Sequence, residues 1–197
     1  MQQAQITPEN TVNIMDAVKG RRSVRSYKPQ ALGYEAIHAL LKAAVQAPTA
    51  VHEEPWAFAV IESREMLKRL SDSAKQAMTD MERSIHVPGR QMKSGFTPPD
   101  DIFYHAPALV VIYGKPMSPF VVADCWLAAE NLMLAAYGAG LGTCVIGLAV
   151  AALNTPEWKK ELGVPDGMTA YAPIIVGMPN GAAPPVPRKE PEILAWK

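Results

Sequence analysis

The chain has 197 residues, enough for one domain with a sizeable buried core, and its 49% hydrophobic and 19% charged residues describe a globular protein, not a disordered one. Lysine plus arginine equal aspartate plus glutamate at 19 each, so no overall field advertises nucleic acid or an acidic membrane surface. Any anionic ligand has to be caught locally.

Thr7-Pro8-Glu9 reads as a helix start, a hydroxyl cap followed by proline at the first helical position. Val12, Met15 and Val18 then recur on one face as far as Gly20, a natural stop. Directly after it, Arg21-Arg22-Ser23-Val24-Arg25-Ser26 packs three arginines and two hydroxyls into six positions. Planar guanidinium forks matched to oxyanions, with short hydroxyl donors between them, suit a dianion. A solvated basic turn at the negative end of a helix is the plainer alternative.

Residues 34–47 carry the apolar stripe Ile37, Leu40, Leu41 and Ala44 of a second helix, which Pro48 ends. Residues 56–61, aromatic and β-branched, form a strand. A helix follows from Ser63 to about Met81, with Met66, Leu67, Leu70, Ala74 and Met78 at helical spacing and the methionines serving as core filler. Periodicity fails over residues 84–104, an irregular segment whose length suits a functional loop; Phe96 and Tyr104 suit a lid. Residues 108–113 are a buried strand.

Pro119 opens a long helix through Ala139 that is apolar nearly all round and must be covered on all sides, in a domain this small by a second subunit. Its Asp124, Glu130 and Asn131, and the glycines beyond, mark a buried helix and turn, not a membrane span, and no secretory leader is visible at the polar start. A cytoplasmic protein with no membrane partner is expected. Cys125 and Cys144 lack metal-ligand spacing and read as structural thiols. Residues 138–147 carry four glycines that end the helix in a turn. Thr155-Pro156-Glu157-Trp158 caps a helix to Leu162-Gly163, and residues 168–176 are the last strand. Residues 182–197 form a proline-stiffened arm ending in Ile193, Leu194 and Trp196, an apolar end suited to docking on another surface. His38, His86 and His105 have no supporting partners in sequence, and ordinary roles are expected of them. There is no internal repeat and no domain boundary, so residues 1–197 are read as one domain.

Four stretches ask for one explanation: the arginine cluster, Ala47-Pro48-Thr49-Ala50-Val51-His52-Glu53-Glu54-Pro55-Trp56, Gly140-Leu141-Gly142-Thr143-Cys144-Val145-Ile146-Gly147, and Pro187-Arg188-Lys189. In this order and with these gaps, over nearly the whole chain, they resemble the FMN-dependent nitroreductase family. The resemblance implies an α+β fold, an α/β sandwich with a mixed central sheet and helices around it, built as an intertwined homodimer with two flavins at the interface. It implies that Arg21, Arg22, Ser23 and Arg25 cradle the FMN phosphate and that Arg188 returns a further cation to it, with Lys189 as a lesser helper. Pro48, Thr49, Ala50 and His52 would reach the FMN of the partner subunit. Val145, Ile146 and Gly147 would lie against the flavin, with backbone N–H groups around Ile146 and Gly147 at its N5 edge, where such donors favour the charge that develops on reduction. Glycine at 147 lets the backbone approach a flat ring closely. A dinucleotide fingerprint is rejected for this stretch, because it follows a helix and opens no Rossmann unit.

The activity implied is NAD(P)H-dependent reduction of a small-molecule electron acceptor such as a nitroaromatic, a quinone or an enone, by ping-pong turnover at FMN, with no catalytic side chain required. Different chemistry on the same fold (dehalogenation, flavin fragmentation, desaturation) and a non-catalytic flavin carrier or sensor are the alternatives. NADH and NADPH are not distinguished. Family members commonly place an amide at position 52 and glutamine at 54, where this chain has His52 and Glu54; a polar contact to the ring system differs accordingly.

Overall fold

The computed structural model describes residues 12–84 and 97–197. Helix α1 (Ile14–Gly20) is capped by Asn13, whose side-chain oxygen accepts from the Asp16 amide at 2.9 Å. The start expected at Thr7 lies outside the described residues. Helix α2 (Tyr34–Ala44) buries Ile37, Leu40 and Ala44, the stripe expected of it. Strand β1 (Trp56–Ile61), helix α3 (Arg64–Ser84) and strand β2 (Ala108–Gly114) follow. Then come the long α4 (Val121–Gly138), strand β3 (Gly142–Val145), the short α5 (Val150–Leu153) and α6 (Pro156–Glu161), and strand β4 (Thr169–Gly177). Thr155 caps α6 by accepting from the Trp158 amide, with Pro156 at the first turn.

The four strands form one sheet in the order β1-β2-β4-β3, and every ladder within it is antiparallel. The parallel component is a single bridge, Ser23 to Thr143, on the free edge of β3. Every residue of β2 is buried, because both faces of the sheet are covered and its side chains alternate between two cores. Val110 and Ile112 meet Ile174 and Val176 beneath α2 and α4. Leu109, Val111 and Tyr113 meet Ile175 beneath α3, α5 and Trp158 of α6. Helix, sheet and helix thus stack as a sandwich, as expected.

Two readings change. The glycine-rich stretch expected as a turn contains β3, whose backbone pairs with β4 from Gly142–Gly177 to Val145–Ile174. The apolar face expected for α1 is not buried within the chain: Met15 and Val18 are 55% and 53% exposed, and Ala17 is the residue that packs. Helix α4 buries Cys125, Ala128, Leu132 and Ala136, yet leaves Val122, Trp126 and Leu127 more than 40% exposed. No described residue of the chain covers that strip. Most of the expected lid, residues 85–96, and with it Phe96 and His86, lies outside the described residues. His38 stacks on Tyr34, and His105 pairs through Nδ1 with Asp101 at 3.1 Å. Both cysteines are free and buried. Among the described residues no helix is long and apolar enough to cross a membrane.

Candidate functional site: an arginine cleft

The chain leaves α1 at Gly20, where a Cβ would fall onto the Tyr137 hydroxyl of α4. Only glycine lets the helix end pass this close. The next residues run along the outer edge of β3, where the Val24 amide donates to the Thr143 carbonyl at 2.9 Å and Ser23 bridges Thr143. Further on, Tyr27 bridges Pro179, the Lys28 amide donates to Met178 O, and the Asn180 amide donates to Ser26 O, each amide bond 2.9 Å long. The Tyr27 hydroxyl closes the loop by donating to Val24 O at 2.7 Å. Burial, with a contribution from Cys144 and against Arg25, holds that hydroxyl neutral by raising its pKa. The arginine loop is therefore strung between the sheet edge and the turn after β4.

This stringing gathers Arg21, Arg22, Ser23 and Arg25 with Arg188 of the C-terminal arm around one cleft of about 610 Å³. Ser26, Asn180 and the start of the arm complete its wall, and among the described residues no carboxylate lines it. Lys189 is not among the lining residues. Arg21 donates through Nε to Glu130 of α4 at 3.0 Å. Arg22 donates through one Nη to Lys19 O and Arg21 O at 2.6 and 2.7 Å, closing off the negative end of α1. Its Nε is buried with no partner among the described residues. Arg25 lies over the Tyr104 ring, 5.9 Å from its centroid. The Cys144 thiol sits beside this group, pushed up by burial, while Arg25 and a hydrogen bond with Ser23 act in the opposite direction.

Pro48, Thr49, Ala50 and His52 lie elsewhere. They form the turn before β1 and do not line the cleft of their own chain. Val51, His52 and Glu54 adopt left-handed backbone conformations with φ of 47°, 59° and 47°, a strain of about 1–3 kcal/mol each for residues other than glycine. The Ala50 amide donates to Asp124 Oδ1 at 3.2 Å, which ties this turn to α4. Asp124 Oδ2 and Glu53 Oε2 are buried without partners, while Val51 is 80% exposed.

Val145, Ile146 and Gly147 continue β3 away from the Ser23–Thr143 bridge. The Ile146 amide is engaged with Pro173 O at 2.8 Å, whereas the exposed Gly147 amide has no acceptor among the described residues. Of the two amides expected at this position, Gly147 is the one available to a ligand.

Sequence reading named Tyr104 only as a lid residue and Asp124 and Glu130 only as polar marks on a buried helix; it missed the contacts they make with Arg25, Ala50 and Arg21.

The fold and this cleft define a flavoprotein-like α+β class, and comparison with known proteins gives it a family. The model of the nitroreductase family matches residues 18–178, and the chain belongs to that family. It is similar to a nitroreductase of Bacteroides fragilis whose crystal structure holds FMN, with 26% identity, a TM-score of 0.78, and coverage of 95% of this chain and 100% of that one. It is 27% identical over 172 residues to a Methanothermobacter thermautotrophicus protein provisionally named NADH dehydrogenase/NAD(P)H nitroreductase, covering 85% of this chain and 78% of the other. It is also 24% identical over 184 residues to an iodotyrosine deiodinase of Thermotoga neapolitana, covering 90% and 94%.

Proposed function

We propose that this chain is the subunit of a homodimeric FMN-dependent NAD(P)H oxidoreductase that reduces nitroaromatic, quinone or related acceptors. The observation that carries the reading is the convergence of Arg21, Arg22, Arg25 and Arg188 on one cleft free of carboxylates. A phosphate monoester, close to doubly charged and rich in acceptor oxygens, suits those donors. The unpartnered Arg22 Nε is a buried donor still in need of an acceptor.

Bound FMN would supply two-electron chemistry, receiving a hydride from the nicotinamide and passing electrons to the acceptor that replaces it. The arginines and Ser23 hold the phosphate. Gly147 lies beyond the end of β3 from the Ser23–Thr143 bridge, so its free amide stands apart from the anchor on the same run of chain. That amide is the donor for the ring's reducible edge. His52 and its neighbours, absent from their own chain's cleft, serve the partner's flavin. The exposed strip of Val122, Trp126 and Leu127 on α4 and the exposed faces of α1 and the arm support the dimer that this requires.

The test is anaerobic reduction of the FMN-loaded protein with NADH and with NADPH, followed by re-oxidation with a nitroarene, a quinone and a halogenated phenol. Bleaching by a nicotinamide and recovery with the nitroarene or quinone supports the proposal. Recovery with the halogenated phenol alone moves the chain to dehalogenation, the chemistry named for its Thermotoga relative. Failure of both nicotinamides to bleach the flavin refutes the proposed donor.

A further inference from the structure

Helix α4 carries Asp124, Glu130 and Asn131 on an otherwise apolar surface, and each bonds to a different segment. Asp124 takes the Ala50 amide, Asn131 donates to Ala43 O, and Glu130 takes Arg21 Nε. Of the three, only Glu130 bonds to a residue that lines the arginine cleft. The Glu130 and Arg21 side chains are 44% and 23% exposed, a setting in which an ion pair adds little to stability. Its geometric effect is larger. A guanidinium held at Nε is fixed in its plane, and the outer edge formed by its two Nη groups, directed about 120° from the Nε–H, stays free to donate. Among the described residues, Arg21 makes no other side-chain hydrogen bond.

We infer that Glu130 is a positioning residue for anion capture: it turns the Nη edge of Arg21 into the cleft, set for two parallel bonds to a phosphate. The inference rests on the FMN reading of the cleft. It also explains why a carboxylate is held beside a site for an anion. Coulomb repulsion alone makes Glu130 unfavourable there, so orientation has to outweigh charge. Substitution separates the two effects. Glu130→Gln keeps an acceptor for Nε and removes the charge, while Glu130→Ala removes both.

The experiment strips the flavin and titrates the apoprotein with FMN and with riboflavin, following flavin fluorescence. Wild type, Glu130→Gln, Glu130→Ala, Arg21→Ala and the Arg21→Ala/Glu130→Ala double variant are compared, with thermal melts beside them. Glu130→Ala is expected to weaken FMN binding by about tenfold, with riboflavin affinity and Tm unchanged. Glu130→Gln should stay within about threefold of wild type, and the double variant should bind no worse than Arg21→Ala alone. The inference is overturned if Glu130→Ala binds FMN as well as or better than wild type, if riboflavin affinity falls in step, or if the two losses multiply. Equal wild-type affinity for FMN and riboflavin overturns the phosphate reading, and this inference with it. A wild-type preference for FMN that the Glu130 variants leave unmoved overturns the inference alone.

Discussion

Replacing Gly142 with alanine probes how firmly the arginine loop is seated on β3. A Cβ there would stand 2.8 Å from Val24 Cβ and 2.8 and 2.9 Å from its two methyl carbons. Val24 Cβ is fixed to its backbone, so no change of rotamer clears the overlap and either the loop or the strand must move. Overpacking of this kind costs roughly 1–3 kcal/mol. In a chain of this size each kcal/mol lowers Tm by about 2–4 °C, so a drop of roughly 2–12 °C is expected. Movement of the loop also stretches the 2.9 Å bond from the Val24 amide to Thr143 O and spreads the arginines. FMN affinity should then fall by at least about tenfold, the equivalent of one charge-assisted bond. Gly138→Ala is the control. A Cβ at that helical position meets nothing within 4 Å, and alanine there should stabilise the chain by up to about 1 kcal/mol. Thermal melts and FMN titration read both variants. A Gly142→Ala protein that melts and binds FMN like wild type would show that the seat is loose and that the cleft does not depend on it.

Arg25→Ala and Arg21→Ala should each weaken FMN binding by roughly ten- to a hundredfold in fluorescence titration, the range of a hydrogen bond to a charged group; wild-type affinity in both removes the phosphate assignment. Trp126→Glu places a charge in the uncovered strip of α4 and should shift the protein from dimer to monomer in sedimentation velocity at micromolar concentration, with loss of flavin; a flavin-loaded wild-type monomer defeats the shared-site reading. Burial, with the Asp124 charge adding to it, pushes the Cys125 thiol from 9.0 up to about 11. Its thiolate fraction at pH 8 is thereby cut about a hundredfold, so a thiol-specific reagent should label it only after denaturation. Because the folded pKa is the higher one, its contribution to stability is complete below pH 9.0 and is lost as pH climbs through about 11, which alkaline melts should register as a falling Tm.

The strands at 56–61, 108–114 and 169–177 were legible because burial on both faces demands runs of β-branched and aliphatic residues, and those runs stand out in composition. Strand β3 was not. Gly142-Thr143-Cys144-Val145 is four residues long, opens on glycine, and owes its conformation to pairing with β4, which sequence does not display. The arginine loop was recognisable as an anion trap from residue types alone. Its aiming was not, since Glu130 lies 109 residues from Arg21, and no local pattern links them. For α1 the periodicity of Val12, Met15 and Val18 identified an apolar face correctly, but periodicity says only that a face seeks cover and not that the same chain supplies it. The left-handed residues at 51, 52 and 54 were equally hidden, because valine and glutamate disfavour that conformation and histidine, though enriched in it, adopts it in only a small share of cases.

The stringing of the arginine loop also sets when the cleft can exist during synthesis. Its arginines leave the ribosome well before β4, yet Ser26 is held by Asn180, 154 positions later, and a further cation, Arg188, follows still further on. Contacts so distant in sequence form late, after the closure of long loops has been offset by the core. A chain stalled before β4 therefore carries most of the charge of the site and none of its shape. Ligand binding, which stabilises only the assembled cleft, then favours chains in which β4 and the arm after it are in place, even though the site's most conspicuous residues are made earlier.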